Sequence, residues 1–184
     1  EPGEYLRPIM LLQAERKDNQ RETFVPEKVK KALMEDFEIP EEEIAIATGA
    51  LDELGGEDIL SEKSRRRFII TIDKLREGWD CPFAYVLCSL RNVNSATAAE
   101  QILGRILRMP YARKKTQQEL NESYAFVTSS NFQATIESLR DALVKNGFER
   151  QETRDLIHAP EEPNADDLFS YTNSITFTAP EIPE

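Results

Sequence analysis

The chain has 184 residues, a formal net charge of −11, and a composition that is 40% hydrophobic and 31% charged. Such a length suits one soluble globular domain with an appendage, and the acidic balance excludes a protein that coats nucleic acid by bulk charge while leaving room for a local basic site. No apolar run approaches the roughly 18 residues a membrane span needs.

The opening "EPGEYLRPIM" has no signal-peptide pattern and no initiator Met, which suggests an excised piece of a longer protein. "PIMLLQAE" (8–15) is a short apolar run suited to a buried strand. "VPEKVKKALMEDF" (25–37) places Val25, Val29, Leu33 and Phe37 four apart, which is helical spacing. Pro26 fits the first turn of that helix. "EIAIATG" (43–49) predicts a second short strand, and the polar, Gly-containing "LDELGGEDILSEKSRR" (51–66) predicts loop with some helix. "RFIITID" (67–73) and "AYVLCSL" (84–90) are rich in β-branched and apolar residues and predict strands. "NSATAAEQILGRILRM" (94–109) predicts a helix stopped by Pro110, with a capping box at Thr97–Glu100 or a cap at Asn94 or Ser95. "ESYAFVTS" (122–129) predicts a strand, and "NFQATIESLRDALVKNGF" (131–148) a helix ending at Asn146-Gly147. Near-continuous apolar strands alternating with helices indicate an α/β domain with an open parallel sheet flanked by helices. After Phe148 the chain turns rich in Pro and acid, so residues 149–184 read as a linker or arm packing on the lobe or on a neighbouring domain, with one strand in "SITFT".

The helix at 94–109 has two unlike halves. With about 100° per residue, Gly104, Arg105 and Arg108 fall within roughly 60° of Gln101. Ala99, Ile102, Leu103, Ile106 and Leu107 fall on the opposite half and suit packing on a sheet. Gly104 costs about 1 kcal/mol against Ala inside a helix, a loss that a solvated face gains nothing from and a closely approached face does. Arg rather than Lys supplies a rigid fork for bidentate phosphate binding. The stretch after "FIITID" offers Gly78, Trp79 and Asp80, where a glycine lets backbone approach a ligand and a carboxylate accepts from ribose hydroxyls. Alone, Asp80 also reads as a turn residue before Pro82, and Trp79 as core. Arg65-Arg66-Arg67 and Arg113-Lys114-Lys115 read as solvated basic runs. His158, the single histidine, lies in the acidic tail and is not a catalytic candidate. Cys81 and Cys88 are too few and badly spaced for zinc, and no metal-ligand set emerges. They fit a cytoplasmic protein with reduced thiols.

"TIDKLREGWDCP" resembles motif V of superfamily 2 helicases, and "QILGRILR" resembles motif VI, Q-x-x-G-R-x-x-R. "PIMLLQAE" sits where motif IV lies in that family. The likeness covers roughly residues 6–148 and is nearest to the restriction (Res) subunit of type III restriction-modification enzymes and related DEAD/DEAH-type helicases. It implies that residues 1–148 form the second RecA-like lobe of an ATP-dependent DNA helicase or translocase. It further implies that Gly78 and Asp80 lie against a nucleotide between two lobes, with Gly104 permitting close approach. Arg105 and Arg108 are implied as arginine fingers, often worth about 10³–10⁵ in rate, and Gln101 as the residue positioning the attacking water. Motif IV and the segment Arg91-Asn92-Val93-Asn94 are implied to face the nucleic-acid backbone. The implied cofactor is ATP with Mg²⁺. The implied partners are DNA, the N-terminal RecA-like lobe of the same protein and a methyltransferase (modification) subunit, in the cytoplasm without membrane contact. The chain departs from the family pattern at Ile102 (often Arg), Leu107 (often Gly) and Ile72 (often Thr, which stands one residue earlier as Thr71).

No glycine is followed by Lys, so no G-x-x-x-x-G-K-[ST] exists, and the single Asp-Glu step, Asp52-Glu53, continues as Leu54-Gly55. The groups that cradle a triphosphate and hold Mg²⁺ are therefore expected on another domain, with this fragment inactive alone. The rival expectation is a non-catalytic α/β module that docks an acidic partner on the Gln101–Arg108 face. A helicase-like lobe kept as a regulatory element is a third.

Overall fold

The computed structural model describes residues 5–72, 81, 83–92, 116–128, 132–145, 147–158 and 174–178. The chain forms two compact units, Glu1–Arg91 and Asn92–Glu184.

In the first unit β1 (Ile9–Gln13) leads through α1 (Pro26–Glu35) and a 3-10 turn (Glu41–Glu43) into β2 (Ile44–Ile46), β3 (Phe68–Thr71) and β4 (Ala84–Asn92). β1 lies between β3 and β4, and β3 between β1 and β2, every pair parallel. The strands are near-continuous apolar runs because both of their faces are buried. On one face Leu12, Ala14, Ile44, Ile46 and Ile70 pack with Val29 and Leu33 of α1. On the other, Leu11, Ala45, Ile69 and Leu87 are buried as well. The α/β class and open parallel sheet expected from the sequence are present, in a form compatible with a RecA-like lobe.

α1 begins where Val25 is extended (φ −68, ψ 157) and Pro26 takes the first turn. It ends two residues earlier than the four-residue spacing predicts. Glu38 adopts φ 54, and the Ile39 amide returns to the Leu33 carbonyl at 3.0 Å. Phe37 therefore leaves the apolar stripe and is 70% exposed. Lys30 ties the helix to the segments around β2, with Nζ at 3.0 Å from both Glu41 and Glu53. The Ile46 amide donates to the Glu53 carboxylate at 2.7 Å.

Residues 51–66 hold turns instead of the helix expected in part. Arg7 organises them. It is 9% exposed, and its guanidinium donates to the carbonyls of Arg66 (3.0 Å), Ile59 (2.5 Å) and Ser64 and to the Tyr5 hydroxyl (2.6 Å). These bonds and a longer one to the Ser61 carbonyl (3.4 Å) satisfy a buried cation that desolvation otherwise penalises. Arg66 departs from the solvated reading of its basic run: it donates to the Ile44 carbonyl at 2.5 Å and pairs with Glu57 at 3.3 Å.

In the second unit β5 (Glu122–Thr128) follows a 3-10 turn (Gln118–Asn121) and precedes α2 (Phe132–Lys145). α2 stops as its Asn-Gly signal predicts. Gly147 takes φ 100, its amide donates to the Val144 carbonyl at 3.0 Å, and the Phe148 amide donates to Leu143 at 3.2 Å. These are the two bonds of a Schellman end. The acidic tail supplies α3 (Glu152–Leu156), β6 (Ile157–His158) and β7 (Ser174–Thr178), the last being the strand expected in "SITFT". β7 runs antiparallel between β5 and β6.

Candidate functional site

Ligands of open α/β sheets bind beyond the carboxyl ends of the strands. In the first unit Gln13, Thr71 and the end of β4 lie on that edge. Register sets three polar residues abreast: Gln13 pairs with Thr71 on one flank and with Ser89 on the other. The row beneath them on the same face, Ile69–Leu11–Leu87, is apolar and buried. Polarity thus begins abruptly at the carboxyl edge.

Ser89 is 1% exposed. Its hydroxyl donates to Gln13 Oε1 at 2.9 Å, with the Arg91 carbonyl as second acceptor at 3.2 Å. One proton serves both acceptors. With its oxygen so engaged, the Gln13 carboxamide presents two N–H donors. Thr71 is 2% exposed, and its Oγ1 has no hydrogen-bond partner among the described residues. An unpaired buried hydroxyl costs about 1–3 kcal/mol.

Glu15 follows Gln13 by two residues, as Arg91 follows Ser89. Glu15 is 7% exposed. One carboxylate oxygen accepts the Phe24 amide at 3.0 Å, and the other accepts Arg21 Nη2 at 2.6 Å. The Glu15 amide in turn donates to the Phe24 carbonyl at 2.8 Å, so residues 15–24 close on themselves. The Phe24 amide, then Arg21 and the charge of Arg91, hold the Glu15 carboxyl below its ordinary range against the opposing effect of burial. Arg16, Lys17 and Arg21 are exposed on this loop. Phe24 is 53% exposed with Lys28 Nζ 5.6 Å from its ring centroid. The result is a polar edge flanked by a loop of mixed charge, in which Asp18 stands 3.5 Å from Arg21 and Glu22 pairs with Lys28, with the Glu15 carboxylate buried beside them.

Of the site residues expected from the sequence, Arg91 and Asn92 close β4, with Arg91 half-buried. Gly78, Asp80, Asn94, Gln101, Gly104, Arg105 and Arg108 lie outside the described residues. The sequence reading takes in Gln13 and Glu15 only as part of the motif IV segment and Thr71 only as the displaced motif V threonine, and it assigns no site role to Ser89. For Gln13 and Thr71 the signal is a polar residue closing an apolar run. Among the described residues no group of three or more His, Cys, Asp or Glu could hold a metal ion, and no helix is long and apolar enough to cross a membrane.

Known proteins resemble part of this chain. The Type III restriction-modification enzyme EcoPI Res subunit of Escherichia phage P1 and the EcoP15I Res subunit of Escherichia coli are each 46% identical to it over 52 residues. That match takes in 28% of this chain and 5% of either relative's length. No family model matches.

Proposed function

We propose that this chain is the second motor lobe of an ATP-dependent DNA helicase or translocase of the type III restriction kind. The observation that carries the reading is the 46% identity to two Res subunits over 52 residues. Two further facts support it: a parallel α/β sheet of the required class, and a carboxyl edge where neutral donors and cations meet at Arg91. In this reading ATP with Mg²⁺ is held mostly by an N-terminal RecA-like lobe of the longer protein. Arg105 and Arg108 bring positive charge to the triphosphate, Gln101 orders the attacking water, and Gly78, Asp80 and Gly104 admit the nucleotide. Bound ATP supplies a phosphoryl group whose transfer these guanidinium groups favour electrostatically. DNA lies along the carboxyl edge, touching Arg91, Asn92 and Asn94. The work is cytoplasmic, beside a modification subunit.

The test is Arg105→Ala in the longer protein that carries this segment. DNA-stimulated ATP hydrolysis falls by about 10³-fold or more, with the melting temperature unchanged. Unaltered hydrolysis overturns the reading and favours a docking module.

A further inference from the structure

At the innermost row of the carboxyl edge the Gln13 carboxamide offers neutral donors, and Arg16, Lys17, Arg21 and Arg91 stand near it, with the exposed Asp18 beside Arg21. A polyanion is drawn to such a rim, so a buried carboxylate within it needs a reason. Closing the loop is one reason, since Glu15 accepts the Phe24 amide at 3.0 Å. A neutral glutamine does that equally well, because its side-chain oxygen accepts the same bond. The charge must do something else. It lies 2.6 Å from Arg21. It also feels the charge of Arg91, which follows Ser89 on the strand where Ser89 is the register partner of Gln13.

We infer that Glu15 is an internal counter-anion for Arg21 and Arg91, set at the carboxyl edge so that a nucleic-acid backbone is held only partly through charge. The inference rests on the reading that this edge binds nucleic acid and adds what governs the grip. Phosphates bind cations largely by releasing condensed counterions, and single strands gain about 0.7 in the slope of log K against log salt per neutralised phosphate. Guanidinium groups already balanced by a carboxylate contribute less of that release. The grip left over is shallow in its salt dependence and quick to let go, as a stepping motor requires.

The experiment measures binding of an oligothymidylate to this chain across a salt series, for wild type, Glu15→Gln, Glu15→Asp and Glu42→Gln. Glu42 sits in the 3-10 turn that enters β2, at the opposite, amino edge of the parallel sheet. Its substitution changes net charge by the same amount without touching the site. Glu15→Gln binds more tightly, with a slope steeper by about 0.7, so that the two affinities diverge about fivefold per tenfold fall in salt. Glu15→Asp and Glu42→Gln keep the wild-type slope. Adding Arg21→Gln to Glu15→Gln takes the gain back. If wild type binds and Glu15→Gln has the same slope, the inference is overturned while the nucleic-acid reading stands. Steepening by Glu15→Asp as well marks loop disruption and also overturns it. If no variant binds at the lowest salt, the nucleic-acid reading of this edge fails and takes the inference with it.

Discussion

At the scale of single residues, Glu15 also governs how the first unit meets acid. Its carboxyl, held down by the Phe24 amide and Arg21, titrates below the ordinary 4.5 when folded. Because the folded value is the lower one, the stability it contributes is complete above the unfolded value and is lost as pH falls through the folded value. Glu15→Gln contributes none of this. The melting temperature of wild type should exceed that of Glu15→Gln at neutral pH, and the gap should close on acidification below about 4.5. A gap that stays constant from neutral pH to pH about 2 would show that the carboxylate has no such role. Little of this is visible in the letters. "PIMLLQAE" announces a buried strand, but it takes register to set Gln13 against Ser89, and a loop closure nine residues long to bury Glu15. Contacts of that kind are long-range and leave no periodicity to read.

At the scale of elements, the sequence is legible wherever local chemistry decides the outcome. The four parallel strands are the apolar runs predicted, because burial on two faces demands continuous hydrophobicity. α2 ends at its Asn-Gly signal. That end supports a direct check: Gly147 at φ 100 has nothing within 4 Å of an added Cβ, so Gly147→Ala meets only backbone strain. It should cost about 1 kcal/mol, read from the urea midpoint. No change would mean that the left-handed turn is not maintained in solution. Local chemistry misleads at α1, where spacing extends the stripe to Phe37. The chain instead turns at Glu38, a non-glycine residue in the left-handed region, because Ile39 is drawn back to Leu33 and packs with the core. It misleads again at 51–66. Polar composition does not distinguish helix from a loop ordered by a distant arginine. The segment that carries most of the proposed chemistry, 94–109, lies outside the described residues, and its roles rest on motif spacing.

At the scale of the whole molecule, the two units differ in how their strands are joined. The first is parallel throughout its described strands, and the second joins β5, β7 and β6 antiparallel. The acidic tail is therefore structural in part, since β7 satisfies the main chain on one side of β5. A chain ending at residue 158 loses that strand. The β5 amides that face β7 should then exchange hydrogen markedly faster, while those of β1 and β3 keep their protection. Equal protection with and without the tail would mean that β7 does not pair in solution.

The buried guanidinium of Arg7 has a consequence for how this protein drifts over generations. It grips Ile59, Ser64 and Arg66 by their carbonyls, which every amino acid possesses. The latch follows the path of the chain and is indifferent to its spelling. Outward-facing positions such as Glu62 and Lys63 are thus free to change identity while the bracket between the second and third strands keeps its shape.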